Sequence, residues 1–168
     1  RPDARDAHRS RRELDLDRRA WVPDDAHGWR RPGELFWPAN ELDALLGTTP
    51  GRRVHEAFVL AVPEPLARWL PFVHVSGLSL ADVLAGEGDS PLSVVALRWI
   101  ERALNEGRLT PAELRKGLAA RRVMPDDGGE ACGVSELFRE GDGRGRFGET
   151  AALFPRLADA LRVPEIPA

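Results

Sequence analysis

The sequence predicts an α+β chain, mainly helical, made of two related units that each combine a short β-hairpin with packed helices. Three observations carry this expectation. The stretch VPDDAHGWRRPGELF (22–36) returns as MPDDGGEACGVSELF (124–138) at a constant offset, 124 − 22 = 102. Each copy sets a Pro-Asp-Asp turn signal beside short apolar stretches, the chemistry of a tight reversal. Between the copies, apolar residues recur at helical spacing behind Ser and Thr caps.

Element by element, RRELDLDRRAWV (11–22) passes from a short helical lead-in to a strand at Ala20–Val22. Pro23 to Gly28 make the turn: proline presets φ, aspartate bonds nearby amides, and glycine accepts positive φ. Trp29-Arg30-Arg31 form the return strand, and Pro32 and Gly33 stop it before Glu34-Leu35-Phe36 start a short helix or turn. Asn40 caps Glu41–Leu46 and Gly47 closes it. Val54–Val62 is apolar but too short to assign to helix or strand, and Pro63-Glu64-Pro65 open Leu66–Leu70. Ser79 and Asp82 have capping-box spacing for Leu80–Ala85. Ser90 and Pro91 then open Leu92–Glu106, with Leu92, Val95, Ala96, Trp99, Ala103 and Leu104 on one face. Thr110, Pro111 and Glu113 repeat the device for Ala112–Ala119. After the second copy, GDGRGR (141–146) reads as an exposed loop, and Pro155 opens Arg156–Arg162.

The repeat reaches further than its opening motif. Leu66-Ala67-Arg68-Trp69-Leu70 is echoed by Leu157-Ala158-Asp159-Ala160-Leu161, now at 157 − 66 = 91, so the second copy is shorter by 102 − 91 = 11 residues. This is duplication of a module, not a short-period solenoid. The expected division is a basic linker or arm (1–12), a first repeat unit with a bridging helix (13–106), and a shortened second unit (107–168).

Composition narrows the function classes. A 42% hydrophobic fraction supplies a core, and the 30% charged fraction mixes both signs, against wholesale disorder. A single cysteine, Cys132, excludes an intrachain disulfide and suits a reducing compartment. No apolar run approaches the ~20 residues that span a bilayer, and the N-terminus lacks the apolar centre of a signal peptide. The expected location is the cytoplasm. A first residue of Arg suggests a chain cut from something longer. Lys116 is the only lysine, and this Arg bias with 14 Pro, 16 Gly and no Tyr points to a GC-rich, bacterial genome. The net charge of −3 argues against a general phosphate binder. RPDARDAHRSRR (1–12) is locally basic, either a solvated linker or a nucleic-acid arm.

Candidate chemistry is sparse. Asp24-Asp25 and Asp126-Asp127 are residue types that ligate metals or act as acid and base, yet neighbours on a strand face opposite sides, and turn chemistry accounts for both pairs. His8, His27, His55 and His74 have no ligand spacing. Gly143-Arg144-Gly145-Arg146-Phe147-Gly148 fits the dinucleotide fingerprint but lacks a preceding strand, and Lys116 has no P-loop around it. Cys132 has no nucleophile signature. Catalytic, metal and cofactor sites are therefore not expected. Trp69 and Trp99 lie on expected helices as core. Trp21, Trp29 and Trp37 flank the first hairpin, where the second copy has Val123, Ala131 and Arg139. Trp29, Arg30, Arg31 and Trp37 are the residues chosen for a partner surface, since Trp and Arg dominate such sites; packing on neighbouring helices is the alternative use of the tryptophans.

The form apolar-Pro-Asp-x-x-Gly-x-aromatic-x-x-Pro-x-Glu-Leu-Phe, written here as WVPDDAHGWRRPGELF (21–36) and followed by PLARWLPFVHVSGLSLADVLAG (65–86), resembles segments of sacsin-like proteins. The likeness covers most of 11–86 and again 112–164. Those large chains carry Hsp90/histidine-kinase-type ATPase folds, whose N-box, D-x-G-x-G and lid motifs are absent here. The resemblance implies a non-catalytic spacer or interaction module of a multidomain protein. The expected function is accordingly protein interaction or scaffolding, with a protein partner or the remainder of a parent chain, and no membrane. Two alternatives stay open: a small nucleic-acid-binding regulator using the basic arm, and an enzyme assembled from Asp24, Asp25, His27 and His55.

Overall fold

A computed structural model describes residues 15–47 and 51–167 of the chain. The basic arm and the start of the lead-in helix lie outside the described residues. The chain divides into two compact units. The first runs to Leu78, except for Ala44–Gly47, which group with the second; the second continues from Ser79. The Leu92–Glu106 segment, expected to bridge the copies, is thus part of the second unit, and the division falls after Leu78 instead of after Glu106.

In the first unit, β1 (Val22–Pro23) and β2 (Trp29–Arg30) pair antiparallel with Val22 opposite Arg30 and Pro23 opposite Trp29. A 3-10 turn follows at Pro32–Glu34, where Pro32 supplies a ready-made φ. Next come α1 (Asn40–Leu46), α2 (Glu56–Ala61) and α3 (Glu64–Ala67). The undecided apolar run around Val54 resolves as a helix because His55 caps it, its Nδ1 accepting the Ala57 amide at 3.1 Å. Val22, Leu35, Val54, Leu70 and Phe72 form the core, with Trp21, Trp37, Phe58 and Val59 packed against it.

The second unit opens with α4 (Leu80–Glu87), α5 (Val94–Asn105) and α6 (Pro111–Leu118). Capping boxes start α4, from Ser79 and Asp82, and α6, from Thr110 and Glu113, as the sequence predicts. For α5 the cap is Ser93, not Ser90: Ser93 is extended and its Oγ accepts the Ala96 amide at 3.2 Å. The buried stripe accordingly includes Leu97 and Ile100 beside Ala96, Trp99 and Ala103.

The second copy then repeats the first. Strands β3 (Met124–Pro125) and β4 (Ala131–Cys132) pair antiparallel, a 3-10 turn covers Val134–Glu136, and α7 (Gly148–Leu153) and α8 (Pro155–Leu161) follow. Met124, Leu137, Phe147, Leu161 and Val163 are buried at the positions matching the five core residues of the first copy. Phe36 bridges Arg53 in one copy and Phe138 bridges Arg146 in the other, an offset of 146 − 53 = 93. So 102 − 93 = 9 of the missing residues fall in the connection that holds α1 in the first copy. The α+β, mainly helical architecture of two related hairpin-and-helix units is therefore present. Among the described residues no helix is long and apolar enough to cross a membrane.

The helix α8 starts on a borrowed cap. Glu101 of α5 accepts the amides of Arg156 at 3.1 Å and Leu157 at 2.7 Å, groups that a helix start leaves without an internal partner. Glu101→Ala is expected to lower unfolding free energy by about 1–2 kcal/mol, seen as a lower urea midpoint at unchanged slope; Glu101→Gln, keeping one acceptor, should lose less.

Candidate functional site

The Pro-Asp-Asp turns are the most elaborately bonded features of both units. Asp24 is buried, and its Oδ1 accepts the Ala26 amide at 3.0 Å and the Gly28 amide at 2.6 Å. Its Oδ2 accepts Arg30 Nε at 3.1 Å. Asp126, also buried, repeats the first part: Oδ1 accepts the amides of Gly128 at 3.0 Å and Glu130 at 2.8 Å. Its Oδ2 instead accepts the Gly145 amide at 3.1 Å, because position 132, matching Arg30, is the buried Cys132, with Sγ 3.9 Å away. Gly145 sits at φ 89° against the Glu136 carbonyl, a place a Cβ would not fit.

The second aspartate of each pair faces outward to a different segment. Asp25 Oδ1 accepts the amides of Gly51 at 2.6 Å and Arg53 at 3.3 Å. Asp127 takes the amides of Glu149 at 3.1 Å and Thr150 at 3.0 Å, capping α7. Each of the four carboxylates thus accepts at least two backbone amides. Burial pushes the Asp24 and Asp126 carboxyls up, but amides with Arg30 in one case, and amides with Arg144 in the other, hold both below the ordinary 3.8. Their contribution to stability is therefore complete above pH about 4 and is lost as pH falls through the depressed folded value. Asp126→Asn puts an amide donor or a neutral oxygen where Gly145 N–H needs an acceptor. We expect it to cost about 1–3 kcal/mol at neutral pH and to flatten the acid limb of a stability–pH curve.

His27 and His55 lie against each other, ring centroids 5.2 Å apart, and the His27 amide bonds the Asp24 backbone carbonyl at 3.1 Å. His27 occupies the left-handed position of the turn at φ 63°, and its counterpart Gly129 has φ 83°, which accounts for the His–Gly exchange. His55 Nδ1 is taken by the cap of α2. Among the described residues no group of three or more His, Cys, Asp or Glu is placed to hold a metal ion.

The four residues expected at a partner surface are not alike. Trp29 is 65% exposed and Arg31 is exposed. Arg30 is tied to Asp24 through Nε. Trp37 is half-buried, its ring 5.0 Å from Phe72, and Trp21 meets Phe58 edge-on at 5.8 Å. Trp37→Ala is expected to reduce stability by about 2 kcal/mol by opening the core at Phe72, read as a lower melting temperature.

Other exposed apolar groups escaped the sequence reading. Trp69, expected in the core, is 43% exposed, whereas Trp99 is buried as expected. Leu60 and Leu153, equivalent at offset 93, are 80% and 74% exposed; alignment of the copies past the deletion would have paired them. The second unit has an open cavity of about 550 Å³ lined by Val94, Arg98, Leu153 and Phe154 among others. Another of about 360 Å³ is lined by Arg115, Arg156, Asp159 and Arg162. Neither is lined by the aspartate–histidine cluster. Comparison with protein-family models, with curated proteins and with solved structures returned no match.

Proposed function

We propose that this chain is a non-catalytic protein-interaction or scaffolding module. One observation carries the reading: the carboxylates that would have to do chemistry are spent on backbone amides, while Trp29 and Arg31 at the end of the first hairpin face solvent. Trp29 stands on a hairpin whose turn the buried Asp24 holds, so a large apolar surface is presented with little ordering cost to a partner. Arg30 ties the same hairpin to Asp24, and Trp37 packs on Phe72. The resemblance to sacsin-like segments points the same way, toward a spacer or interaction module of a larger protein.

Affinity capture from lysate at low and high salt tests this, with wild type beside Trp29→Ala. The expected result is a specific protein kept at high salt by wild type and lost by Trp29→Ala. Nucleic acid recovered alone, released by salt and indifferent to Trp29→Ala, would overturn it in favour of the basic-arm reading.

A further inference from the structure

Three arginines of the second unit converge on one cavity. It has a volume of about 360 Å³ and lies where α5 and α6 pack on α8. Its charged lining is Arg115, Arg156, Arg162 and Asp159, and its apolar lining is Leu104, Pro111 and Ala160. Arg115 is held in place, its Nη1 donating to the Ala160 carbonyl at 2.6 Å. Asp159 is engaged as well, its Oδ1 accepting Arg139 Nη2 at 3.0 Å. The side chains of Arg156 and Arg162 are exposed and have no hydrogen bond or ion pair to any described residue.

The fold does not ask for either of these two cations. Arg156 is the second residue of α8, and the positive end of the helix dipole disfavours a cation in that first turn. At the other end of α8, Arg115 already supplies a cation to the carbonyls. Arg162 closes the helix there in the left-handed conformation, at φ 58°, a position that favours glycine. At offset 91 the first copy has Pro65 and Pro71, so the repeated unit requires a cation at neither place. An anion in the cavity accounts for both. We propose that this cavity binds the phosphate monoester of a small apolar molecule. The lining carries three cations against one carboxylate, 3 − 1 = 2 positive charges, which balance the charge of about −2 on a phosphate monoester at neutral pH. One guanidinium fork satisfies the two oxygens of a carboxylate, whereas three guanidiniums suit the three terminal oxygens of a phosphate. Leu104, Pro111 and Ala160 offer the organic part an apolar surface, in a volume suited to a small ligand. This site belongs to the second unit and stands apart from the partner surface at Trp29 in the first, so its failure leaves that reading untouched.

Isothermal titration calorimetry of the full chain at neutral pH and fixed ionic strength tests the site, with phenyl phosphate, inorganic phosphate and benzoate as probes. Phenyl phosphate should bind saturably, tighter than inorganic phosphate and at least about tenfold tighter than benzoate. Arg156→Gln and Arg162→Gly should each weaken it at least about tenfold, as loss of a charge-assisted contact requires. Their urea midpoints should not fall, because one change removes a cation that the helix start disfavours and the other supplies the residue that the left-handed cap favours. Arg98→Gln removes the same charge beside the other cavity and should leave the affinity unchanged. Absence of saturable binding to the wild-type chain overturns the proposal. Affinity unchanged in either Arg156→Gln or Arg162→Gly overturns it too, as does an equal loss in Arg98→Gln, which would mean attraction to net charge alone. Benzoate or inorganic phosphate binding as tightly as phenyl phosphate overturns the ligand class. Should Arg162→Gly unfold, Arg162→Gln is titrated in its place, and unchanged affinity there counts against the site.

Discussion

A carboxylate removed from water must be given hydrogen bonds in exchange, and in this chain the backbone of a single turn gives them. Asp24 and Asp126 are each surrounded by amides two and four residues further on, and each donates its own amide back to the carbonyl of that later residue. A two-residue hairpin is marginal by itself. Here the carboxylate fixes the turn, and the turn fixes the register of strands only two residues long. The ion is held ionised because amides and arginine favour the charged form more strongly than burial opposes it. The adjacent aspartate extends the restraint outward, tying the hairpin to the segment that returns to it. One Asp-Asp pair thus clamps its own turn and a stretch of chain more than twenty residues away in either copy.

What may vary around that clamp is shown by the differences between copies. The outer oxygen of the buried carboxylate can take a guanidinium or an amide. Arg30 serves in the first copy; in the second, the shorter connection brings Gly145 to the same atom, and Cys132 fills the vacated space as a small apolar group. The five core positions keep apolar character while exchanging shape, with Val22 for Met124 and Val54 for Phe147. Removing α1 from the connection leaves the clamp intact, since α1 lies between two segments that the bridge at Phe36 or Phe138 already joins.

Legibility in the sequence followed how local each cause was. Capping boxes at Ser79 and Thr110, the Pro-Asp-Asp turns and the duplication were readable because each is settled within a few residues. The start of α5 was misplaced by three residues, as Ser90-Pro91 and Ser93 are both sound caps and the choice depends on Ser93 also bonding Glu87. Val54–Val62 stayed ambiguous until His55 acted as a cap, a role that histidine rarely advertises. The cap lent by Glu101 to α8 spans 55 residues and leaves no local mark. Trp69 differs from its expected core position for the same reason: helical spacing marks an apolar side of its segment but not how completely distant residues cover it, and it is 43% exposed. Of the candidate surface, Trp29 lies on β2 while Trp37 packs on Phe72, a contact 72 − 37 = 35 residues away that leaves no local mark.

Duplication also separates two demands that a single module has to reconcile. The inner face of each unit is constrained by the same core and the same buried carboxylate, so it tolerates only exchanges of similar polarity. The outer face is constrained only by what lies on it. In the second copy α5 and α6 fix that face as Leu157 and Ala160, and Ala160 must stay small for the helices to approach. In the first copy the same two positions are Leu66 and Trp69, residues that raise the apolar area presented to water. At 46% and 43% exposed, Leu66 and Trp69 still bury more than half of their surface within the chain. The two copies thus share what the core and the buried carboxylate require and differ where neither constrains the side chain.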